Sequence, residues 1–208
     1  MRPAFLGHMS GECIAALFTV DNPFSTRGSR EYDALLMTIQ LRPFHESDRK
    51  VVRELTIAAF EGVSIDHNID LRLGFVPGHD WHYRKSRDID RDIDEPDTLV
   101  AVAEDIHSGA VVGYVTMQCD LQTCIGWIHN LAVTAEARGQ GLGRRLIEHA
   151  LAHFRAAGMT IAKIETLEQN AVGRHLYPSV GFVEVARQIH YAMALLDRPA
   201  HEPGPVTL

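Results

Sequence analysis

Chemistry is most concentrated in the run Val133-Thr-Ala-Glu-Ala-Arg-Gly-Gln-Gly-Leu-Gly-Arg-Arg145. A strand-like stretch ends at Val133, glycines stand at alternate positions from Gly139, and an amphipathic helical pattern begins at once. Gly139, Gly141 and Gly143 admit backbone conformations closed to bulkier residues, so successive amide N–H groups can converge on one anion. The first helical turn adds unpaired donors and the positive end of the helix dipole. Arg138, Arg144 and Arg145 add formal charge. Together these features predict a cradle for phosphate oxygens, and so a phosphorylated ligand. Two other glycine loops fail residue by residue. A P-loop needs Gly-Lys followed by Ser or Thr, but Gly143 is followed by Arg144 and Arg145; a dinucleotide fingerprint needs a third glycine where Arg144 or Leu146 stands. A loop of this kind can also merely turn the chain.

The elements that must position this loop are legible on both sides of it. Thr38 to Arg42 alternates as a strand that Pro43 stops, and Ser47 or Asp48 can cap a helix with Val51, Val52, Leu55, Ala58, Ala59 and Phe60 on one face. Asp66 to Leu73 suits a short helix. Asp88 to Asp97 carries six acids and one base, which reads either as a solvated connection or as an acidic lip that attracts an amine. Strands follow at Leu99–Glu104, Ala110–Met117 and Trp127–Val133. A helix is expected from Leu142 to Ala157, a strand from Ile161 to Leu167, a short helix from Ala171 to Tyr177 that Pro178 disfavours continuing, and a last strand from about Phe182 to Met193. The order predicts an α/β fold with a single mixed, mostly antiparallel central sheet flanked by helices.

Composition sets the frame. The 208 residues are 46% hydrophobic and 23% charged, which suits one globular domain and excludes collagen-like and wholly disordered chains. Residues 37–196 are expected to form that domain, with 1–36 an N-terminal extension and 197–208 a C-terminal tail. Met37 directly precedes the first strand, which raises the hypothesis of an upstream start codon; a mass spectrum of the native protein starting at Met1 refutes it. The formal charge of −7 supplies no basic face for nucleic acid, and suits a cationic substrate. The apolar stretch Ile14–Phe18 is far below the ~20 residues that span a bilayer. Cys13, Cys119 and Cys124 are unpaired in number and lack zinc-like spacing, a profile of a reducing compartment. The expectation is a cytoplasmic protein with no membrane, nucleic-acid or metal partner. His149 and His153, and likewise His79 and His82, invite a metal reading but lack a third ligand; for His149 and His153, solvent-facing side chains are expected instead.

A resemblance now becomes specific. Arg138-x-x-Gly141-x-Gly143 after Leu131-Ala-Val133 resembles the acetyl-CoA motif of the GNAT superfamily of N-acetyltransferases. Asn170, Leu176-Tyr177 and Gly181-Phe182 resemble that family's second signature, in the same order, with Gly173 where the family often has Ala. The element order from Thr38 to about Leu195 fits as well. The resemblance implies acetyl-CoA as co-substrate, an amine of a small molecule or peptide as acceptor, and direct attack in a ternary complex. It implies that backbone groups of Leu131, Ala132 and Val133 pair with the pantetheine arm. Amides of Arg138, Gly139, Gln140, Gly141, Leu142, Gly143 and Arg144 would hold the pyrophosphate. Asn170 would contact the cofactor, and Tyr177 would protonate the departing thiolate. Homodimers are frequent in that family, an analogy only.

Period two on the strand puts His129 on the side of Leu131 and Val133, with Ile128, Asn130 and Ala132 opposite. His-x-Leu-Ala-Val also resembles arylalkylamine N-acetyltransferases, which implies His129 as general base. A structural histidine, a base at Glu165 or Glu168, and water alone stay open. So does a non-catalytic acyl-CoA-binding module of the same fold.

Overall fold

The computed structural model describes residues 38–74 and 77–195. The expectations for residues 1–36 and 197–208, for Met37 and for Cys13 fall outside them. Five strands form one sheet in the order β1 (Ile39–Pro43), β2 (Thr98–Asp105), β3 (Val111–Asp120), β4 (Ile125–Val133) and β5 (Ile161–Ile164). The first four are antiparallel and β5 runs parallel to β4, so the mixed, mostly antiparallel sheet is as expected.

Helices cover both faces. On one side α4 (Leu142–Ala156) buries Leu142, Leu146, Ile147, Ala150 and Phe154 against Ala101, Ala103, Val115, Met117 and Ile128. Gly126 is what lets Phe154 lie flat on the strand, since a Cβ there would sit 2.4 Å from the ring. On the other side α1 (Arg49–Phe60) and α3 (Trp81–Asp94) bury Val52, Leu55 and Ile89 against Val102, Tyr114 and Ala132. Here the Tyr114 hydroxyl is fully buried and 2.7 Å from Thr56 Oγ1, which satisfies both groups.

Between these helices lies α2 (Ile65–Leu73), capped by the Ser64 hydroxyl, which accepts from the His67 amide. The short helix predicted at 66–73 is thus present.

Four expectations are corrected. The acidic run is neither a connection nor a lip, because Asp88–Asp94 are the second half of α3. Asp90 and Asp94 there pair with Arg49, and Asp90 also with Arg53. Pro178 does not end the last helix: it has no amide for the Arg174 carbonyl, yet α5 (Ala171–Val180) runs two residues past it, to a left-handed Gly181 at φ 109° that closes the helix with its own amide on the Pro178 and Tyr177 carbonyls. Residues 182–193 alternate in polarity yet form no strand, since nothing pairs with them among the described residues. Val183, Val185, Ile189, Tyr191 and Met193 stand exposed. Finally, His153 faces inward rather than to solvent and its Nδ1 is buried with no hydrogen-bond partner.

Candidate active site

β4 outlasts β5. Their pairing stops at Ile128 opposite Ile164, so residues 129–133 of β4 have no strand beside them on that edge. Backbone donors and acceptors of Leu131–Val133 therefore face an open gap, which an extended ligand can fill as an added strand would. At the end of the gap a short 3-10 turn (Ala135–Ala137) leads into the glycine loop. Gly139 (φ 74°) and Gly141 (φ 81°) are left-handed, the backbone that the glycines allow at least strain. Gly141 is also the N-cap of α4, and with no side chain it leaves the first-turn amides of the helix uncapped. An uncapped N-terminus beside a strand-free edge is what a phosphate followed by an extended arm requires. The residues present thus fit coenzyme A.

The arginines divide. Arg138 stays exposed at the loop, 3.4 Å from the Val133 carbonyl. Arg144 instead donates to the carbonyl and hydroxyl of Ser179 and ties α4 to the end of α5, while Arg145 is half-buried and donates to the Ile39 carbonyl. Only Arg138 keeps the role of loop charge; the other two fix the elements that frame it. Gly143 has a packing reason as well, since a Cβ would lie 3.2 Å from Leu176.

Below the gap, Asn170 caps α5. Its Oδ1 accepts from the Gly173 amide and its Nδ2 donates to Thr166 Oγ1 at 2.9 Å, so the expected cofactor contact meets a side chain already engaged. This explains Gly173: a Cβ there would meet the Thr166 hydroxyl at 2.9 Å and the Asn170 amide at 3.0 Å. Tyr177, one turn on, packs on the core beside Phe182. Burial raises its phenol above the ordinary range, only partly offset by a hydrogen bond from Thr166, so it is a protonated donor at neutral pH.

The other wall turns on an irregularity. β3 and β4 pair Thr116 with Asn130 but Met117 with Ile128, which leaves His129 as the extra residue of a β-bulge. Strict alternation fails there. Ile128 lies with Leu131 and Val133 against α4, and His129 does not. Its ring stacks instead on Trp127 (centroids 4.2 Å apart), with Nε2 3.2 Å from Gln118 Oε1, on the α1/α3 side of the sheet. The predicted face of His129 is therefore corrected, and the bulge is the reason. Because that amide oxygen only accepts, Nε2 carries the hydrogen and Nδ1 is left basic. Desolvation holds the ring below the usual histidine range despite the pull of Asp92 and Glu165, so it is neutral near pH 7.

Two further groups close this wall. Lys163 on β5 sits opposite Trp127, its Nζ 4.0 Å above the indole centroid and 2.7 Å from Glu165 Oε1. On the α3 side, Lys85 Nζ donates to Asn130 Oδ1 at 3.1 Å while Asn130 Nδ2 donates to Asp92. Burial lowers the Lys85 ammonium, which also lies over the Phe60 ring. Glu168, the other proposed base, pairs with Arg187 away from the bulge. Trp127 and Lys163 went unnoticed in the sequence because each sits in a strand pattern that packing alone explains; Lys85 was missed with the helix that carries it, and Asp92 was read only as part of the acidic run. Among the described residues no group of His, Cys, Asp or Glu is placed to hold a metal ion, and no helix is long and apolar enough to cross a membrane.

Comparison with known proteins agrees with this geometry. Residues 96–184 match the family described as "Acetyltransferase (GNAT) domain". Over 77 residues the chain is 34% identical to mycothiol acetyltransferase of Cellulomonas flavigena, covering 37% of this chain and 22% of that protein. Over 64 residues it is 34% identical to the ribosomal protein bS18-alanine N-acetyltransferase of Escherichia coli (strain K12), covering 31% and 43%. The E. coli ribosomal-protein-S18-alanine N-acetyltransferase structure superposes with a TM-score of 0.54 at 18% identity, over 71% of this chain and 79% of that one. A structure of AAC(6')-Iy in complex with the bisubstrate analogue CoA-S-monomethyl-acetylneamine superposes with a TM-score of 0.50 at 15% identity, over 75% and 98%. The matches span less than half the length of these two curated relatives, and the structural likeness is one of fold. Residues 96–184 are thus similar to a GNAT acetyltransferase domain, and the fold is the one these solved acetyltransferases share.

Proposed function

We propose that the protein is a cytoplasmic, acetyl-CoA-dependent N-acetyltransferase that moves an acetyl group to a primary amine by direct attack in a ternary complex. One observation carries the reading. The bulge in β4 leaves a neutral, half-buried histidine at the start of the same strand-free edge that runs on to the glycine loop. Acetyl-CoA, when bound, supplies the activated acyl group as a thioester. The amides of Arg138–Arg144 hold its pyrophosphate, with the Arg138 side chain as counter-charge, and the backbone of Leu131–Val133 holds its extended arm. A main-chain N–H of that stretch donates to the carbonyl oxygen as negative charge develops there. His129 Nδ1 takes a proton from the acceptor ammonium, directly or through a water. Tyr177 gives its phenol proton to the departing sulfur. Asn170 acts by holding Thr166 and the start of α5, and so places Tyr177.

The test is thiol release from acetyl-CoA against polyamines, aminoglycosides, amino acids, arylalkylamines and peptide N-termini, with CoA binding titrated on the same sample. Turnover with one class confirms the reading and fixes the acceptor. CoA binding without turnover across the panel favours a binding module, and absence of CoA binding refutes the glycine-loop assignment.

A further inference from the structure

The wall beside His129 already contains an amine. The Lys163 ammonium rests on the Trp127 ring, bonded to the Glu165 carboxylate, while the imidazole of His129 stacks with the same indole. An indole face and a carboxylate are the two groups that recognise an alkylammonium ion. The sequence has only two other lysines. Lys50 is on the outer face of α1 with 88% of its side chain exposed, and Lys85 is enclosed between Phe60 and Asn130.

Resting on the acetyltransferase reading above, we propose that the Trp127 ring and Glu165 form the acceptor-amine seat, that Lys163 occupies it in the free protein, and that Lys163 Nζ is itself acetylated unless an external primary alkylammonium displaces it. The reaction balances without a further reactant. Nζ loses one proton to His129, which passes it to solvent, then bonds to the acetyl carbonyl carbon and gives up a second proton to solvent as the C–S bond breaks. The sulfur takes the Tyr177 proton, Tyr177 regains a proton from solvent, and the products are N-acetyl-lysine, free CoA thiol and one proton released to solvent. External acceptors of this seat are primary alkylamines, and acetylation of Lys163 removes the charge that competes with them.

Two measurements on the whole protein test this. Acetyl-CoA alone is added and each lysine is followed by peptide mass spectrometry, with denatured protein as control. Lys163 should gain an acetyl group more than about tenfold faster than exposed Lys50, since a seated amine reacts as an intramolecular one. n-Butylamine should slow that gain, Trp127→Leu should abolish it and Trp127→Phe should retain part of it. Without acetyl-CoA, the ring-current shift of the Lys163 ε-methylene protons should collapse as n-butylamine is titrated in. Equal labelling of Lys50 and Lys163 in a protein that binds CoA, or an ε-methylene shift indifferent to n-butylamine, overturns the seat and leaves the acetyltransferase reading standing. Failure to bind CoA at all overturns both.

Discussion

The two halves of the site are made of different material. The half that fits coenzyme A is mostly backbone: an unpaired strand edge, two left-handed glycines and an uncapped helix start. The half beside the bulge is side chain: Trp127, His129, Lys163 and Glu165, each oriented by ring stacking or an ion pair. Backbone recognition suits a ligand that never changes, and side-chain recognition suits one that does, because single substitutions can rewrite it without disturbing the sheet.

Substitutions can break or sharpen that division. The largest effect is expected from Tyr177→Phe, which removes the leaving-group proton: kcat should fall by roughly a hundredfold or more while the Kd for CoA stays within about twofold. Equal kcat in variant and parent removes Tyr177 from the mechanism. Gly141→Val acts on the other half. A branched residue at φ 81° forces the helix start out of its cradle, and the Kd for CoA should rise about tenfold, read by calorimetry, with the pH profile unmoved. His129→Gln should reshape pH dependence. As a base whose pKa lies below the ordinary histidine value, His129 gives kcat/KM that is full at neutral pH and falls as the solution is made more acid than that lowered pKa. The variant should lose about tenfold at pH 7 or more, together with this acid limb. An unchanged profile passes the role to Glu165 or water. Arg144→Ala should have the smallest effect, about 1 kcal/mol of stability in urea with little change in CoA affinity, because its guanidinium holds Ser179 and not the loop.

The same division separates what the sequence disclosed from what it hid. Gly139 and Gly141 advertise a left-handed backbone, so the turn before α4 was readable in the sequence, whereas Gly143 answers to packing against Leu176, which no pattern announces. Strands β1 to β4 were readable too: β4 buries alternate residues, and β2 and β3 are apolar runs buried on both faces between clear turn signals. The bulge was not, since one extra residue in a strand changes no composition and period two runs through it unaltered on paper. Helix α3 was hidden by its own surface: Trp81 and Ile89 are its buried residues, spaced eight apart, and the ion-paired aspartates between and beyond them read as a charged connection. Residues 182–193 failed in the opposite sense. Their alternation is real, but a strand exists only where a neighbour supplies hydrogen bonds.

The bulge at His129 gives β4 a parity that its residues do not individually possess. Upstream of it, odd-numbered Trp127 looks toward α1 and α3; downstream, odd-numbered Leu131 and Val133 look toward α4. Exchanging His129 for another residue leaves that inversion in place. Deleting it would cancel the inversion, so either Trp127 and Ile128 or the whole 130–133 segment would have to trade sides, driving polar groups into one core or apolar ones out of it. Length, more than identity, is what this position cannot lose: a family of variants could explore every side chain at 129, yet a single lost codon there would unmake both faces of the sheet at once.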